Sequence, residues 1–249
     1  MDSIFEVFPD LPALADGRFA GAACAKPTIM IAMTARTGST HLCGALAAAG
    51  DVGRPGEIFN PRGVAGAERE RRGVHSFTDY MRSFNDEPSP VFIFKTNWQD
   101  FAPFAQDWRM LFPNLRVAYL DRKNLAAQSV SLYRAQISGT WHQPAQQARA
   151  APEDWRHSFD LARICTLMQE LNAKKQAWEQ FFSAEGFTPA RLFYEDFQKD
   201  VSVGLGFLAR EMNLGLRLEV PPGTGFEKLA DALTRDWVER VQRHVLQMT

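Results

Sequence analysis

The sequence predicts an α/β fold with a mainly parallel central sheet flanked by helices. Four short apolar runs alternate with stretches of helical periodicity, which is typical of parallel sheets that are covered on both faces. The first run, residues 28–34, is apolar on both faces, as a buried parallel strand requires. Polar residues that could bind a ligand or take part in a reaction follow directly after these runs, where ligands bind in open α/β sheets.

The elements are predicted in order along the chain. Residues 1–27, which are rich in Ala, Gly and Pro, predict an irregular or briefly helical lead-in. The predicted strands are 28–34, 91–95, 116–121 and 191–194, and the predicted helices are 41–50, 101–112, 125–137, 159–182 and 227–247. The helix over 159–182 has the clearest pattern because its apolar residues recur at spacings of three, four or seven. We expect one domain over residues 1–249.

Composition limits the partners and the compartment. A chain of 249 residues with a formal net charge of −1 has no global basic field, which argues against nucleic acid as a partner. Cys24, Cys43 and Cys165 lie far apart, which argues against a zinc site or a disulfide framework. The longest apolar stretch is too short to span a bilayer, and the N-terminus is acidic. We therefore expect a cytoplasmic protein with no membrane insertion.

Residues 34–40, Thr-Ala-Arg-Thr-Gly-Ser-Thr, link the first strand to its helix. A helix N-terminus offers unpaired N–H groups and a partial positive charge to an anion. Gly38 lets the backbone approach a ligand, Ser39 and Thr40 are predicted to cap the helix and donate hydroxyl groups, and Arg36 supplies a bidentate cation. The loop predicts a phosphate or sulfate cradle, with a merely capped helix after a tight turn as the alternative.

This loop and three later motifs carry a family resemblance. The loop at 35–40 is similar to the 5′-phosphosulfate loop of bacterial carbohydrate sulfotransferases of the trehalose 2-sulfotransferase type. Arg-Pro-Gly-Glu-Ile-Phe-Asn at 54–60 resembles that family's Pro-x-Glu-Phe-Phe-Asn stretch. Residues 122–131 resemble its 3′-phosphate motif, an Arg followed nine residues later by a Ser. Trp141 and the Tyr-Glu-Asp of 194–196 fit the same order, the latter as a brace for the loops.

The resemblance implies a P-loop NTPase-like sulfotransferase fold. It also implies transfer of a sulfuryl group from 3′-phosphoadenosine 5′-phosphosulfate (PAPS) to a hydroxyl of a carbohydrate or glycolipid acceptor, with 3′-phosphoadenosine 5′-phosphate (PAP) as product. The donor-binding residues are expected to be Arg36, Thr37, Gly38, Ser39, Thr40, Arg122, Gln128, Ser131 and Lys228. The acceptor-binding residues are expected to be Glu57, Phe59, Trp98, Trp141 and His142. Members of this family also form homodimers, which this chain is compatible with.

The catalytic residues are predicted to be Glu57, Arg36 and Lys95. A carboxylate suits removal of the acceptor proton, and Glu57 matches the residue to which the family reading assigns this step. Lys95, at the end of the second predicted strand, is expected to reach the same cleft, although a lysine extending its stem toward solvent is the alternative. Because a sulfuryl group carries less charge than a phosphoryl group, no metal is expected. His41 and His142 are alternative bases.

The second anion pocket is predicted at Arg122, with Ser131 and Gln128 on the following helix. A guanidinium fork with a hydroxyl suits a dianionic phosphate. Asp121 places a negative charge directly before Arg122. Because residues 117–121 imitate a Walker B strand, a P-loop-like kinase or phosphotransferase that uses Mg²⁺ is an alternative, although GxxxxGK[ST] is absent. A non-catalytic module that binds an anion is a third interpretation.

Overall fold

The predicted fold class is confirmed in a computed structural model. The structure describes residues 3–11, 19, 21–49, 52–53, 55–141, 157–213 and 232–248. Within them lies a four-stranded sheet in the order β2-β1-β3-β4, in which every neighbouring pair is parallel. Its strands are β1 (Thr28–Met33), β2 (Phe92–Asn97), β3 (Leu115–Asp121) and β4 (Ala190–Phe193).

The helices of the described residues surround this sheet. They are α1 (Ile4–Val7), α2 (Ser39–Ala48), α3 (Val64–Arg72), α4 (Phe77–Ser83), α5 (Trp98–Phe101), α6 (Trp108–Leu111), α7 (Leu125–Ser138), α8 (Leu161–Glu185), α9 (Tyr194–Phe197), α10 (Val201–Glu211) and α11 (Ala232–Met248). No helix among them is both long and apolar enough to cross a membrane.

Both faces of the sheet are buried, as the apolar runs predict. On one face, Met30, Phe94 and Tyr119 pack into a core rich in phenylalanine. On the other face, Ile31 and Leu120 pack with apolar residues of α2 and α10. Side chains alternate between the two faces of a strand, so a strand that is buried on both faces reads as a continuous apolar run.

The predicted helix over 101–112 is wrong. The structure has instead α5, a 3₁₀ turn over Ala102–Phe104 and the single-turn α6. Pro103 lacks an N–H group and disfavours the preceding residue in an α-helix. The apolar spacing of this segment reflects burial, since Phe101 and Phe104 are both in the core.

Two strand ends differ from the prediction. β2 continues to Asn97, so Lys95 lies within the strand, opposite Ile31 of β1, rather than at its end. β4 stops at Phe193 because Tyr194 begins α9. Both shifts leave the polar residues at the same edge of the sheet, where the carboxyl ends of parallel strands meet.

The lead-in contributes to the core. The one-turn helix α1 buries Ile4 and Val7. The Phe8 ring that follows lies 4.8 Å from the ring of Tyr80, measured between centroids. This segment therefore covers the phenylalanine-rich face of the sheet.

Helix α8 runs past the carboxyl end of the sheet. The indole N–H of Trp178 donates a hydrogen bond of 2.9 Å to the carbonyl of Met33, the last residue of β1. The helix begins at an Asp160 cap and ends at Gly186 in the left-handed conformation. The fixed position of α8 brings its polar residues to the edge that carries the predicted site.

Candidate active site

The loop after β1 leads into the N-terminus of α2. Its first helical residue is Ser39, and the cap is Gly38 in the left-handed conformation, without a side-chain cap hydrogen bond. The prediction that Ser39 and Thr40 cap this helix is therefore wrong, because both lie within the first turn. The first N–H groups of α2 have no acceptor inside the helix, and they remain directed toward the carboxyl edge of the sheet. The Thr37 hydroxyl is buried and donates to the carbonyl of Thr34, at 3.1 Å.

Residues of the two predicted anion pockets contact each other. Arg36, which has a φ of +66°, donates from Nε to the Ser131 hydroxyl oxygen at 3.0 Å. A guanidinium N–H of Arg36 also donates to the carbonyl of Trp141. Arg122 donates from Nη1 to the carbonyl of Arg36, at 3.3 Å. The loop after β1 and the segment after β3 thus form a continuous surface, which we call the cationic cradle (Arg36, Arg122 and Ser131).

The cradle is positively charged and poorly solvated. Burial lowers the pKa of Arg36, and the charge of Arg122 lowers it further. Burial also lowers the pKa of Arg122. Among the described residues no carboxylate forms an ion pair with Arg36, and Glu195 lies 3.8 Å from Nε of Arg122. Two neighbouring guanidinium groups in a weakly solvated site attract a dianion strongly.

Tyr194, the first residue after β4, packs between the loop after β1 and Arg122. The guanidinium of Arg122 lies 4.7 Å from the centroid of the Tyr194 ring, within the range of a cation–π contact. A Cβ at Gly38 would come within 2.5 Å of Cδ2 of Tyr194. One ring therefore contacts both the loop after β1 and the arginine after β3.

Gly38→Ala is expected to weaken PAP binding about tenfold and to destabilise the fold by about 1–3 kcal/mol, the usual cost of a disfavoured backbone conformation. Gly38 has a φ of +79°, and the new methyl group would displace Tyr194. Calorimetry with PAP and thermal unfolding measure the two effects. Gly63→Ala is the matched control, because Gly63 also caps a helix at positive φ but has open space around it. Equal PAP affinity in the two variants would contradict this role of Gly38.

The Asp121 carboxylate is neutralised from α8. Lys175 Nζ lies 2.6 Å from Oδ1 of Asp121 and donates at 3.0 Å to the carbonyl of Arg122. Sequence reasoning missed Lys175, which has no motif around it. This contact offsets the negative charge beside the cradle and fixes the backbone of Arg122.

Gln128 supports the loop after β1 through hydrogen bonds from the protein interior. Its side chain is fully buried, and Nε2 donates to Oγ1 of Thr34 at 2.8 Å and to the carbonyl of Ala35 at 2.7 Å. The structure therefore places Gln128 beside the loop after β1, on the protein side of it.

A carboxylate and an ammonium lie at the N-terminus of α2. Lys95 Nζ donates to the Thr40 hydroxyl oxygen at 3.0 Å and lies 3.1 Å from Oε1 of Glu57. The other oxygen of Glu57 accepts a hydrogen bond of 2.6 Å from the Asn60 amide. The structure thus brings Glu57 and Lys95 together with the anion loop.

The remaining predicted residues differ in their surroundings. The Phe59 ring is fully buried and packs on the Phe104 ring, 4.4 Å between centroids, so it supports the Glu57 loop from the core. Trp98 is half-buried against Trp178, and Trp141 is 44% exposed beside the cradle. His41 is half-buried in the first turn of α2, and burial lowers its pKa. His142 and Lys228 lie outside the described residues.

The chain matches a known protein family and is similar to two named proteins. The family model described as Stf0 sulphotransferase matches residues 28–244. The chain is similar to a protein of Mycolicibacterium smegmatis named trehalose 2-sulfotransferase, with 25% identity over half of this chain and 45% of that protein. It is also similar to the protein of that name from Mycobacterium tuberculosis, with 23% identity over 86% of this chain and 94% of the relative.

Proposed function

Because this chain belongs to the Stf0 sulphotransferase family, we propose that it transfers a sulfuryl group from PAPS to a hydroxyl of a carbohydrate or glycolipid acceptor. The observation that carries the proposal is the contact of Arg36 with Ser131 and Arg122. This contact joins the loop that leads into α2 to Arg122 and Ser131, the residues of the second proposed anion site. A sulfuryl donor with negative charge at its 3′ and 5′ positions requires two such sites. The names of the relatives support a small carbohydrate as the acceptor.

The cationic cradle is assigned to the 3′-phosphate of the donor. Arg122 and Ser131 supply the guanidinium and the hydroxyl that suit a dianion. Arg36 contacts Ser131, so its side chain acts with this pair, while the backbone around it belongs to the loop after β1. Arg36 therefore links the two ends of the binding site.

The N-terminus of α2 is assigned to the 5′-phosphosulfate. The backbone N–H groups of its first turn and the helix dipole favour an anion there. At Gly38 the space that a side chain would occupy is taken by the Tyr194 ring, which packs against the loop at this helix terminus. Thr40 and Lys95, which contact each other, add a hydroxyl and an ammonium that would stabilise the charge on the group that leaves sulfur.

Glu57 is assigned as the general base. Its carboxylate lies next to Lys95, which contacts Thr40 on α2, so the base is adjacent to the proposed position of the transferred group. Asn60 fixes the orientation of the carboxylate through its hydrogen bond. Glu57 would accept the proton of the acceptor hydroxyl as the oxygen attacks sulfur.

Transfer of radiolabel from labelled PAPS to a panel of sugars and glycolipids tests the proposal. We expect label to appear in at least one hydroxyl-bearing acceptor, in the presence of EDTA. Binding of Mg-ATP with phosphorylation of an acceptor would instead support the phosphotransferase alternative. PAP binding with no transfer to any acceptor would support a binding module.

A further inference from the structure

A second carboxylate, that of Asp100, interacts electrostatically with Glu57. Asp100 belongs to α5, the one-turn helix that begins directly after β2, the strand of Lys95. Its side chain is 7% exposed. Burial raises the pKa of Asp100 to about 6; the positive charge of Arg62 opposes this rise and the negative charge of Glu57 contributes to it. Glu57 and Arg62 are therefore its close electrostatic neighbours.

Helix α8 contributes a second cation, Lys174, to the surroundings of Asp100. The charge of Lys174 lowers the pKa of Asp100, and burial lowers the pKa of Lys174 itself. Lys174 precedes Lys175, which contacts Asp121 beside the cradle. Helix α8 thus places Lys175 beside the cradle and Lys174 near Asp100.

A cavity of about 100 Å³ borders Asp100. Its walls come from three segments: Ser3, Ile4 and Phe5 at the start of α1, Phe59 and Pro61 in the loop that carries Glu57, and Gln99, Asp100 and Pro103 after β2. Pockets that enclose a whole drug-sized ligand measure roughly 300–1,000 Å³, so this cavity suits one edge of a molecule. Its lining combines a carboxylate, an amide and a hydroxyl with apolar side chains.

We propose that Asp100, Gln99 and the adjoining cavity bind neighbouring hydroxyl groups of a polyhydroxylated, sugar-like acceptor whose reacting hydroxyl is directed to Glu57. The inference rests on the proposed function. An ionised carboxylate accepts hydrogen bonds at both oxygens and Gln99 offers both donor and acceptor, a combination that suits adjacent hydroxyl groups. Arg62 and Lys174 offset the negative charge of Asp100, as Lys95 does for Glu57.

Saturation-transfer NMR on the PAP-loaded protein tests the inference, with trehalose and a panel of monosaccharides and disaccharides as probes. We expect at least one sugar to bind the native protein and its affinity to fall at least tenfold in Asp100→Asn, with PAP affinity within twofold of native. Asp86→Asn, at an exposed acid, is the matched control and should bind the sugar normally. If Asp100→Asn does not fold, Lys174→Met is the second variant, and its sugar affinity should also fall.

The pH dependence supplies a readout that a structural role would not move. Protonation of Asp100 removes one acceptor oxygen, so sugar affinity should fall as the pH decreases through about 6, and Asp100→Asn should lack this dependence. Equal sugar affinity in native protein and Asp100→Asn, or no binding of any sugar by the native protein, would overturn the inference. Calorimetry with PAP separates this outcome from failure of the proposed function, which would appear as loss of nucleotide binding in the native protein.

Discussion

Glu57→Gln is expected to lower kcat by about 10²–10⁴-fold, the usual contribution of a general base. The amide keeps the size of the side chain but cannot accept the proton of the acceptor hydroxyl. It also loses the charge that pairs with Lys95 at 3.1 Å, although Asn60 can still hold it in place. PAP affinity should remain within about threefold of the native value, because the cradle does not include Glu57.

Label transfer from PAPS and calorimetry with PAP measure the two quantities. Glu70→Gln is the matched control, because Glu70 is an exposed residue of α3, and its kcat should equal the native value. Turnover that survives in Glu57→Gln would remove Glu57 from the role. His41 would then be the first alternative to replace.

Arg122→Met is expected to weaken PAP binding by about 10–150-fold, from the loss of about 1.5–3 kcal/mol for a hydrogen bond to a charged group. The variant removes the guanidinium that contacts the Arg36 carbonyl and the Tyr194 ring. The unbranched methionine stem retains much of the packing against Tyr194. Affinity for 5′-AMP, which lacks the 3′-phosphate, should change much less.

Arg191→Met is the control for this change. Arg191 pairs with Glu179 at 2.7 Å away from the cradle, so its replacement should leave PAP affinity unchanged. An equal loss of affinity for PAP and for AMP in Arg122→Met would show that Arg122 acts on the fold or on another part of the nucleotide.

The strands and the anion loop could be predicted because local chemistry determines them. Residues 28–34 are apolar on both faces, and only a doubly covered strand buries such a run. Arg36 and Arg122 could be placed at one edge because both follow parallel strands, whose carboxyl ends meet at that edge. Their direct contact, in which Arg122 donates to the carbonyl of Arg36, was less accessible, since it depends on the left-handed backbone of Arg36.

The parts that sequence reasoning missed depend on contacts between distant segments. Lys175 reaches Asp121 only because α8 crosses the end of the sheet, and a lysine inside a long helix carries no local signal. Asp100 borders a cavity together with residues at the start of α1 and in the Glu57 loop, neither of which is near it in sequence. Phe59 was predicted to face the acceptor; its ring packs in the core and also borders the cavity beside Asp100, and an aromatic residue gives the same sequence signal in either place.

The most direct test of the central claim compares the affinities of the native protein for PAP, 5′-AMP and adenosine 3′-monophosphate, measured by calorimetry in EDTA. If the cradle and the N-terminus of α2 bind the two charged ends of one nucleotide, PAP should bind at least tenfold more tightly than either monophosphate. An affinity for PAP that merely equals that of one monophosphate would contradict the account, because only one of the two proposed anion sites would then contribute to binding.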